Sequence, residues 1–444
     1  MKIVIIGGMT SGTTAAQAAR MIDKKGEHEI IVLERERYPL YSRCVLPYII
    51  SGRVSRDMAI EFDEKWYEKH DIDLRLETTV TSINIRDRKV TTDQGEEIKY
   101  DRLVIATGSH DRPKYEGYNR IFNLRTLDDA LRIRDVAKRS KKAIVLGAGA
   151  IGCEVSEALR ELGVEVTLVE YFDYPLPKFL DKELGTRVSK VLSENGVKLM
   201  MGTMVKDVRE EDDRVVVETS KGVIEGDLAV SALGIRPNIS IIEGTGIELG
   251  KTGRIRVNEK METNVPGIYA AGECTEYPDL ITGKPIPVGL GSIAFRQGLV
   301  AGTNAAGGDV SFPKGVLNTR VTKLFGVEIA CVGPTTSDLK DAGIPFRSVV
   351  TVSKDLPNYY PGGEDFVSKI LFSHEGRILG FQAMGRNAGL RINVIAASVL
   401  TGCSLESLEF LETAYSPPVA PILDPIITTI TGALRIVRRA KKVS

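Results

Sequence analysis

The chain has 444 residues, 43% hydrophobic and 27% charged, which is too long for one core and ordinary for a soluble protein of about two to four domains. Its 59 basic and 59 acidic residues cancel, excluding a global field for nucleic acid or an anionic membrane and leaving any anionic ligand to local groups. Five cysteines, at 44, 153, 274, 331 and 403, are odd in number and scattered; they exclude a disulfide scaffold, show no metal-ligand spacing and fit a reducing cytoplasm.

Met1-Lys2-Ile3-Val4-Ile5-Ile6 opens the chain. Its apolar run is too short for a signal peptide and leads into glycines rather than a cleavage site. The pattern predicts a strand over Lys2–Ile6, a turn Gly7-Gly8-Met9-Thr10-Ser11-Gly12, a helix to about Asp23, and a strand Glu29–Leu33 closing on Glu34. Arg35 follows. Ten residues after Glu34 stands Cys44, within Tyr41-Ser42-Arg43-Cys44-Val45-Leu46-Pro47-Tyr48. Tyr41, Pro47, Pro39 and Ile49 occupy the places where a pairing cysteine would sit, so this thiol works alone, through a mixed disulfide, a persulfide or a sulfenic acid. The run to Ile50 is apolar and compatible with a helix that has Pro47 in its first turn. A cysteine at such a helix start is expected to have its thiolate stabilised. For Cys153, Cys331 and Cys403 the expectation is that of small buried hydrophobes.

A β-rich stretch comes next (Val80–Ile85, Lys89–Thr92), then Asp101 and Leu103-Val104-Ile105-Ala106-Thr107-Gly108. The whole order then repeats. Lys142–Leu146 is a strand, Gly147-Ala148-Gly149-Ala150-Ile151-Gly152 a turn, a helix carrying Glu154 runs to about Leu162, and Glu165–Val169 closes on Glu170. Val215–Glu218, Asp227 and Leu228 to Gly234 complete the second copy. Two duplicated dinucleotide-binding units explain this economically. In each, the first glycine permits the bend, the middle one admits backbone to the pyrophosphate, and the last allows close helix–strand packing. The closing Glu accepts from a ribose diol. The first copy departs at Met9, where the pattern has glycine. After Glu170 no cation comes before Lys178, and a 2′-phosphate is repelled there, so NADH is favoured over NADPH. The apolar run Pro425 to Leu434 is about half a membrane span. The basic residues Arg435, Arg438, Arg439, Lys441 and Lys442 are expected to form a solvated tail.

At these residues the chain resembles the FAD-dependent pyridine nucleotide–disulfide oxidoreductases. The likeness rests on the two glycine turns, Ala106-Thr107-Gly108, Gly234-Ile235-Arg236-Pro237-Asn238, and Thr263 to Glu273 with its Gly272-Glu273 ending. Glu273 stands where the family has Asp. Cys44-Val45-Leu46-Pro47-Tyr48, Tyr359-Tyr360-Pro361-Gly362 and Tyr415-Ser416-Pro417-Pro418 resemble motifs of its single-cysteine branch: coenzyme A-disulfide reductases, NAD(P)H persulfide or sulfur reductases, and NADH oxidases.

The resemblance implies an α/β fold with two tandem Rossmann-like domains, for FAD and NAD, and a C-terminal α+β dimerisation domain. The expected division is 1–110 and 241–315 for FAD, 111–240 for NAD and 316–444 for dimerisation. FAD would be bound by the first turn, Glu34, Arg35, Val80, Ala106-Thr107-Gly108, Gly272 and Glu273. NADH would be bound by the second turn, Ile151, Glu154, Glu170 and Gly234. The implied enzyme is a cytoplasmic homodimer that reduces CoA disulfide, CoA persulfide or a related sulfur species at Cys44. Tyr360 and Tyr415 would reach the partner's cysteine and donate to the departing thiolate. CoA phosphates need local cations, for which Arg20 and Arg43 are the candidates, with Ser42 beside them. The alternatives are an NADH oxidase or peroxidase, and an electron-carrying flavoprotein in which Cys44 is idle. Peroxide-specialised relatives place a histidine where this chain has Thr10.

Overall fold

The structure, a computed structural model, describes residues 1–112 and 115–441. Among them are three five-stranded sheets. The first is parallel and runs in the order Ile268–Ala270, Arg102–Ile105, Lys2–Ile6, Glu29–Leu33, Asp73–Arg75. The second is also parallel: Val197–Met200, Glu165–Val169, Lys142–Leu146, Leu228–Ser231, Ile121–Asn123. Their central strands are runs of Ile, Val and Leu because both faces are covered; Ile3, Val4 and Ile5 are wholly buried.

The repeat therefore holds in space. Strands occur at Lys2–Ile6, Glu29–Leu33, Lys142–Leu146 and Glu165–Val169, and helices at Thr10–Ile22 and Ala150–Glu161. Each unit also carries a three-stranded antiparallel excursion, Val80–Lys99 in the first and Val205–Gly226 in the second. One strand differs in origin. The second unit takes its edge strand, Ile121–Asn123, from just before its own core, whereas the first waits for Ile268–Ala270. The chain thus leaves the first unit, builds the second, and returns.

The return brings helix Gly291–Ala305 onto helix Thr10–Ile22. Contact is close because a Cβ at Gly298 or Gly302 would overlap the backbone of Ser11 or Ala15. The third sheet is antiparallel, in the order Arg320–Leu324, Val327–Val332, Ile378–Met384, Asp365–Phe372, Arg347–Lys354. Phe366, Ile370 and Phe372 alternate onto the face covered by helices Ala388–Leu400 and Pro425–Lys441. The intervening Lys369 belongs to the opposite face and pairs with the second unit.

The expected basic tail is a helix instead. Ile426, Ile427, Ile430, Leu434 and Val437 form its buried stripe, and Arg438 forms a bidentate pair with Glu409. Arg435 and Arg439 lie on the same helix. Lys441 reaches Glu406, and Lys442 lies outside the described residues. No helix among the described residues is long and apolar enough to cross a membrane.

Candidate active site

The two glycine turns are built alike down to single hydrogen bonds. Glu34 accepts the Gly8 amide at 2.6 Å on one oxygen and the Glu36 amide at 2.9 Å on the other. Glu170 accepts Ala148 at 2.6 Å and Phe172 at 2.9 Å. Burial, then the charge of Glu36, pushes the Glu34 carboxyl up, against the two amide bonds. Gly7 and Gly147 adopt φ of +101° and +94°, a region that disfavours side chains. A Cβ at Gly12 or Gly152 would overlap the carbonyl of Gly7 or Gly147. The middle position is different: a Cβ at Gly149 meets nothing within 4 Å. That openness is why Met9 is tolerated in the first turn, where it stands as N-cap with φ −80°. Thr10 and Ser11 begin the helix that follows.

Above the first turn, Ala106-Thr107-Gly108 ends the strand beside Lys2–Ile6, and Gly272-Glu273 ends the strand beside that one. Asn238 clasps Thr107 at 2.6 and 2.8 Å. Glu273 Oε2 accepts from Ser109 and from Arg125, and no described residue donates to Oε1. Arg125 Nε and Gln297 Nε2 are buried without partners, although Gln297 Oε1 accepts the Gly272 amide at 2.9 Å. Free acceptors and donors beside the first glycine turn fit FAD. Val80 is a core residue whose side chain is buried, so only its backbone can serve the cofactor, whereas Arg35 is exposed beside Glu34.

Above the second turn lies a recess of about 400 Å³ lined by Gly147, Gly149, Glu170, Tyr171, Lys178 and Leu233, among others. Ile151, 42% exposed, heads the helix at this turn. Gly234 is exposed with φ +129°, where Ile235–Pro237 pairs with Ser109–Asp111 and joins the two units. The recess fits a dinucleotide.

Cys44 sits in a single 3-10 turn, Arg43–Val45, before helix Leu46–Ser51, with Pro47 in the first turn. It is exposed, whereas Cys153, Cys274 and Cys331 are buried and Cys403 is partly so. The thiol is open to water yet closely surrounded. Burial raises its pKa, a hydrogen bond with Ser42 opposes this, and Glu154, Glu273 and Glu61 raise it further. The stabilised thiolate expected at a helix start is therefore not what the protein provides. The helix has six residues, no side chain caps it, and the charges that act on the thiol, those of Glu154, Glu273 and Glu61, raise its pKa.

The two arginines proposed for CoA are occupied. Arg43 donates to Glu36 at 2.6 Å and to the Arg125 carbonyl. Arg20, in the last turn of its helix, holds Asp23 at 2.8 Å and the carbonyls of His70, His28 and Asp71. Both strap the fold through these bonds.

Tyr415 is 45% exposed and its hydroxyl bonds that of Tyr359, not of Tyr360, at 2.6 Å. Arg386 pins the Tyr359–Gly362 loop through the Gly362 carbonyl at 2.9 Å and Asp355 at 3.3 Å. Sequence reasoning placed Tyr359 in a motif without giving it a role, and missed Arg125 and Ser109. The lone carboxylate of Glu273 called for a cation, but nothing in the chain order pointed to Arg125.

Residues 1–285 match the pyridine nucleotide-disulphide oxidoreductase family, and residues 320–424 match that family's dimerisation domain. The chain belongs to this family. It is an oxidoreductase of the flavin- and pyridine-nucleotide-dependent kind. A curated relative, the NAD(P)H coenzyme A polysulfide/persulfide reductase of Pyrococcus horikoshii, is 34% identical over 96% of this chain and 97% of its own. The NADH oxidase of Methanocaldococcus jannaschii is 34% identical over 98% of this chain and 99% of its own. A solved NAD-dependent persulfide reductase from A. fulgidus superposes with a TM-score of 0.93 at 35% identity, covering 98% of this chain and 83% of that one.

Proposed function

We propose that the chain is an NADH-dependent flavoprotein reductase of CoA disulfide, CoA persulfide or a related sulfur species, acting through Cys44 as a homodimer. One observation carries the reading. The exposed thiol stands just before helix Leu46–Ser51, which packs on helices Leu127–Ala137 and Ala150–Glu161 of the second unit. The names of the persulfide-reducing relatives support the substrate class. Free, scattered cysteines support a reducing cytoplasm.

Bound FAD would carry an electron pair between NADH in the second recess and a sulfur bridge at Cys44. The Glu34 turn and Glu273 hold it; Glu170 and the second turn hold NADH. At the bridge Cys44–S–S–CoA, two electrons break the S–S bond and one proton goes to the leaving thiol, leaving Cys44 as thiolate. Tyr415 supplies or orients that proton, with Tyr359 bonded behind it. Both tyrosines lie on a surface with Phe410, Val419 and Ile422, 89%, 60% and 74% exposed, an apolar area suited to cover by a second copy.

Cys44→Ser is the test. The variant retains FAD and is reduced by NADH but loses turnover with CoA disulfide and persulfide, and mass spectrometry of oxidised wild type finds a CoA or sulfur adduct on Cys44. Sulfur turnover surviving in Cys44→Ser overturns the reading. The oxidase reading draws on the relative named NADH oxidase; it is favoured if wild type consumes oxygen through Cys44 and no sulfur acceptor turns over.

A further inference from the structure

The wall of the dinucleotide recess is held by another part of the molecule. Leu176, Pro177, Lys178 and Phe179 line the recess. Leu176 has φ +58° and donates to the Ala148 carbonyl at 2.8 Å, a left-handed conformation that a leucine keeps only when its surroundings impose it. The segment then runs straight onto the third sheet. Arg320, at the start of that sheet's first strand, donates to the Lys178 carbonyl and stacks its guanidinium 5.0 Å from the Phe179 ring centre. The Asp181 amide donates to Gln382 at 2.8 Å, and its carboxylate accepts from Thr336 at 2.9 and 2.6 Å. Lys369 Nζ lies 3.0 Å from Asp181 and 2.8 Å from Glu183. Its side chain is 4% exposed and that of Asp181 8%. The ammonium is thus buried against Asp181, with half-exposed Glu183 beside it, while anchored in an interior strand of the C-terminal sheet.

From these contacts we infer that the C-terminal module positions the NADH-binding wall, with Lys369 and Arg320 as positioning residues for a nucleotide they do not touch. Without Lys369, Asp181 and Glu183 become neighbouring anions with no buried cation between them, and the pair parts. Residues 176–179 then lose the anchor that keeps Leu176 left-handed, and the recess loses its far side. Nucleotide affinity becomes a property of the C-terminal module as well as of the glycine turn. The inference rests on NADH occupying this recess.

Lys369→Met and Arg320→Met, made in the full-length holoprotein, test it. The reading is the NADH concentration dependence of flavin bleaching, together with calorimetry of NAD⁺ on the oxidised protein. Half-saturation and Kd should each rise by about tenfold, while the bleaching rate at saturating NADH stays within about twofold and FAD content is unchanged. A merely structural role would lower the melting temperature and leave both affinities alone; affinities within about twofold of wild type in either folded variant overturn the inference. If Lys369→Met does not fold, Arg320→Met decides. Glu170→Ala removes from the recess the carboxylate that holds the second turn. Unchanged affinity in Glu170→Ala would show that NADH binds elsewhere, whereas weakened affinity there beside normal Lys369 and Arg320 variants would remove the positioning role alone.

Discussion

Tyr359 and Tyr415 stand 56 residues apart in the chain, yet their hydroxyls are 2.6 Å from each other. The bond to Tyr415 is the main cause that raises the Tyr359 pKa, and either hydroxyl can serve as its donor. Tyr415→Phe should slow the sulfur half-reaction by about 10²-fold, the lower range for positioned proton donors. Tyr359→Phe should slow it less, and Tyr360→Phe least. Stopped-flow absorbance with NADH alone should show unchanged flavin reduction in all three; equal effects at Tyr359 and Tyr360 would detach the hydrogen bond from the chemistry.

Glu170 uses both carboxylate oxygens to bind amides at the second turn, so it shapes the turn besides setting a negative charge where a 2′-phosphate would meet it. Glu170→Ala combined with Tyr171→Arg should move the preference toward NADPH by about tenfold or more in kcat/KM, roughly 1.4 kcal/mol. Steady-state assays with both nucleotides check this; wild type preferring NADPH tenfold would reverse the reading.

The thiol of Cys44 is pushed up by burial and by Glu154, Glu273 and Glu61. A raised pKa means the neutral thiol prevails at neutral pH, so alkylation of reduced, CoA-free protein should accelerate as pH rises, with a midpoint above the ordinary cysteine value of about 8.5. Glu154→Gln should shift that midpoint down. Rates of iodoacetamide labelling at Cys44, followed by mass spectrometry across pH, give the answer; a midpoint near 6 would mean that a cation, not these carboxylates, governs the sulfur.

Gly298→Ala should separate the helices Thr10–Ile22 and Gly291–Ala305, because the added carbon would overlap the Ser11 carbonyl. Overpacking of this kind costs about 1–3 kcal/mol. Since Ser11 belongs to the first glycine turn, the variant should also bind FAD less tightly. Thermal melts and flavin content of the purified protein measure both, and normal flavin content would show that the turn tolerates the shift.

What the sequence revealed was local. Glycine spacing, the run of branched residues before it and the acid after it are contiguous signals, so the turns at Gly7 and Gly147 and the closing Glu34 and Glu170 were readable directly. Pairings across the chain were not. Tyr359 and Tyr360 are adjacent and chemically identical, and only the tertiary structure shows that Tyr415 bonds the first of them. Arg43 looked free beside Cys44 until the fold brought Glu36 and the Arg125 carbonyl to it. Cys44 was legible as an isolated thiol, but the sign of its surroundings depended on Glu154 and Glu273, about 110 and 229 residues onward.

The late arrival of Ile268–Ala270 has a consequence for synthesis. Until that strand emerges, Arg102–Ile105 is an open edge of Leu, Val and Ile with unpaired amides and carbonyls, a template for pairing with other chains. The second unit needs no such wait, since Ile121–Asn123 precedes its core, so it can finish on the ribosome first. A chain stalled or cleaved between the second unit and residue 268 would carry a completed nucleotide-binding module tethered to an aggregation-prone half-sheet, and release of such fragments should demand chaperone capture more than release of the whole chain.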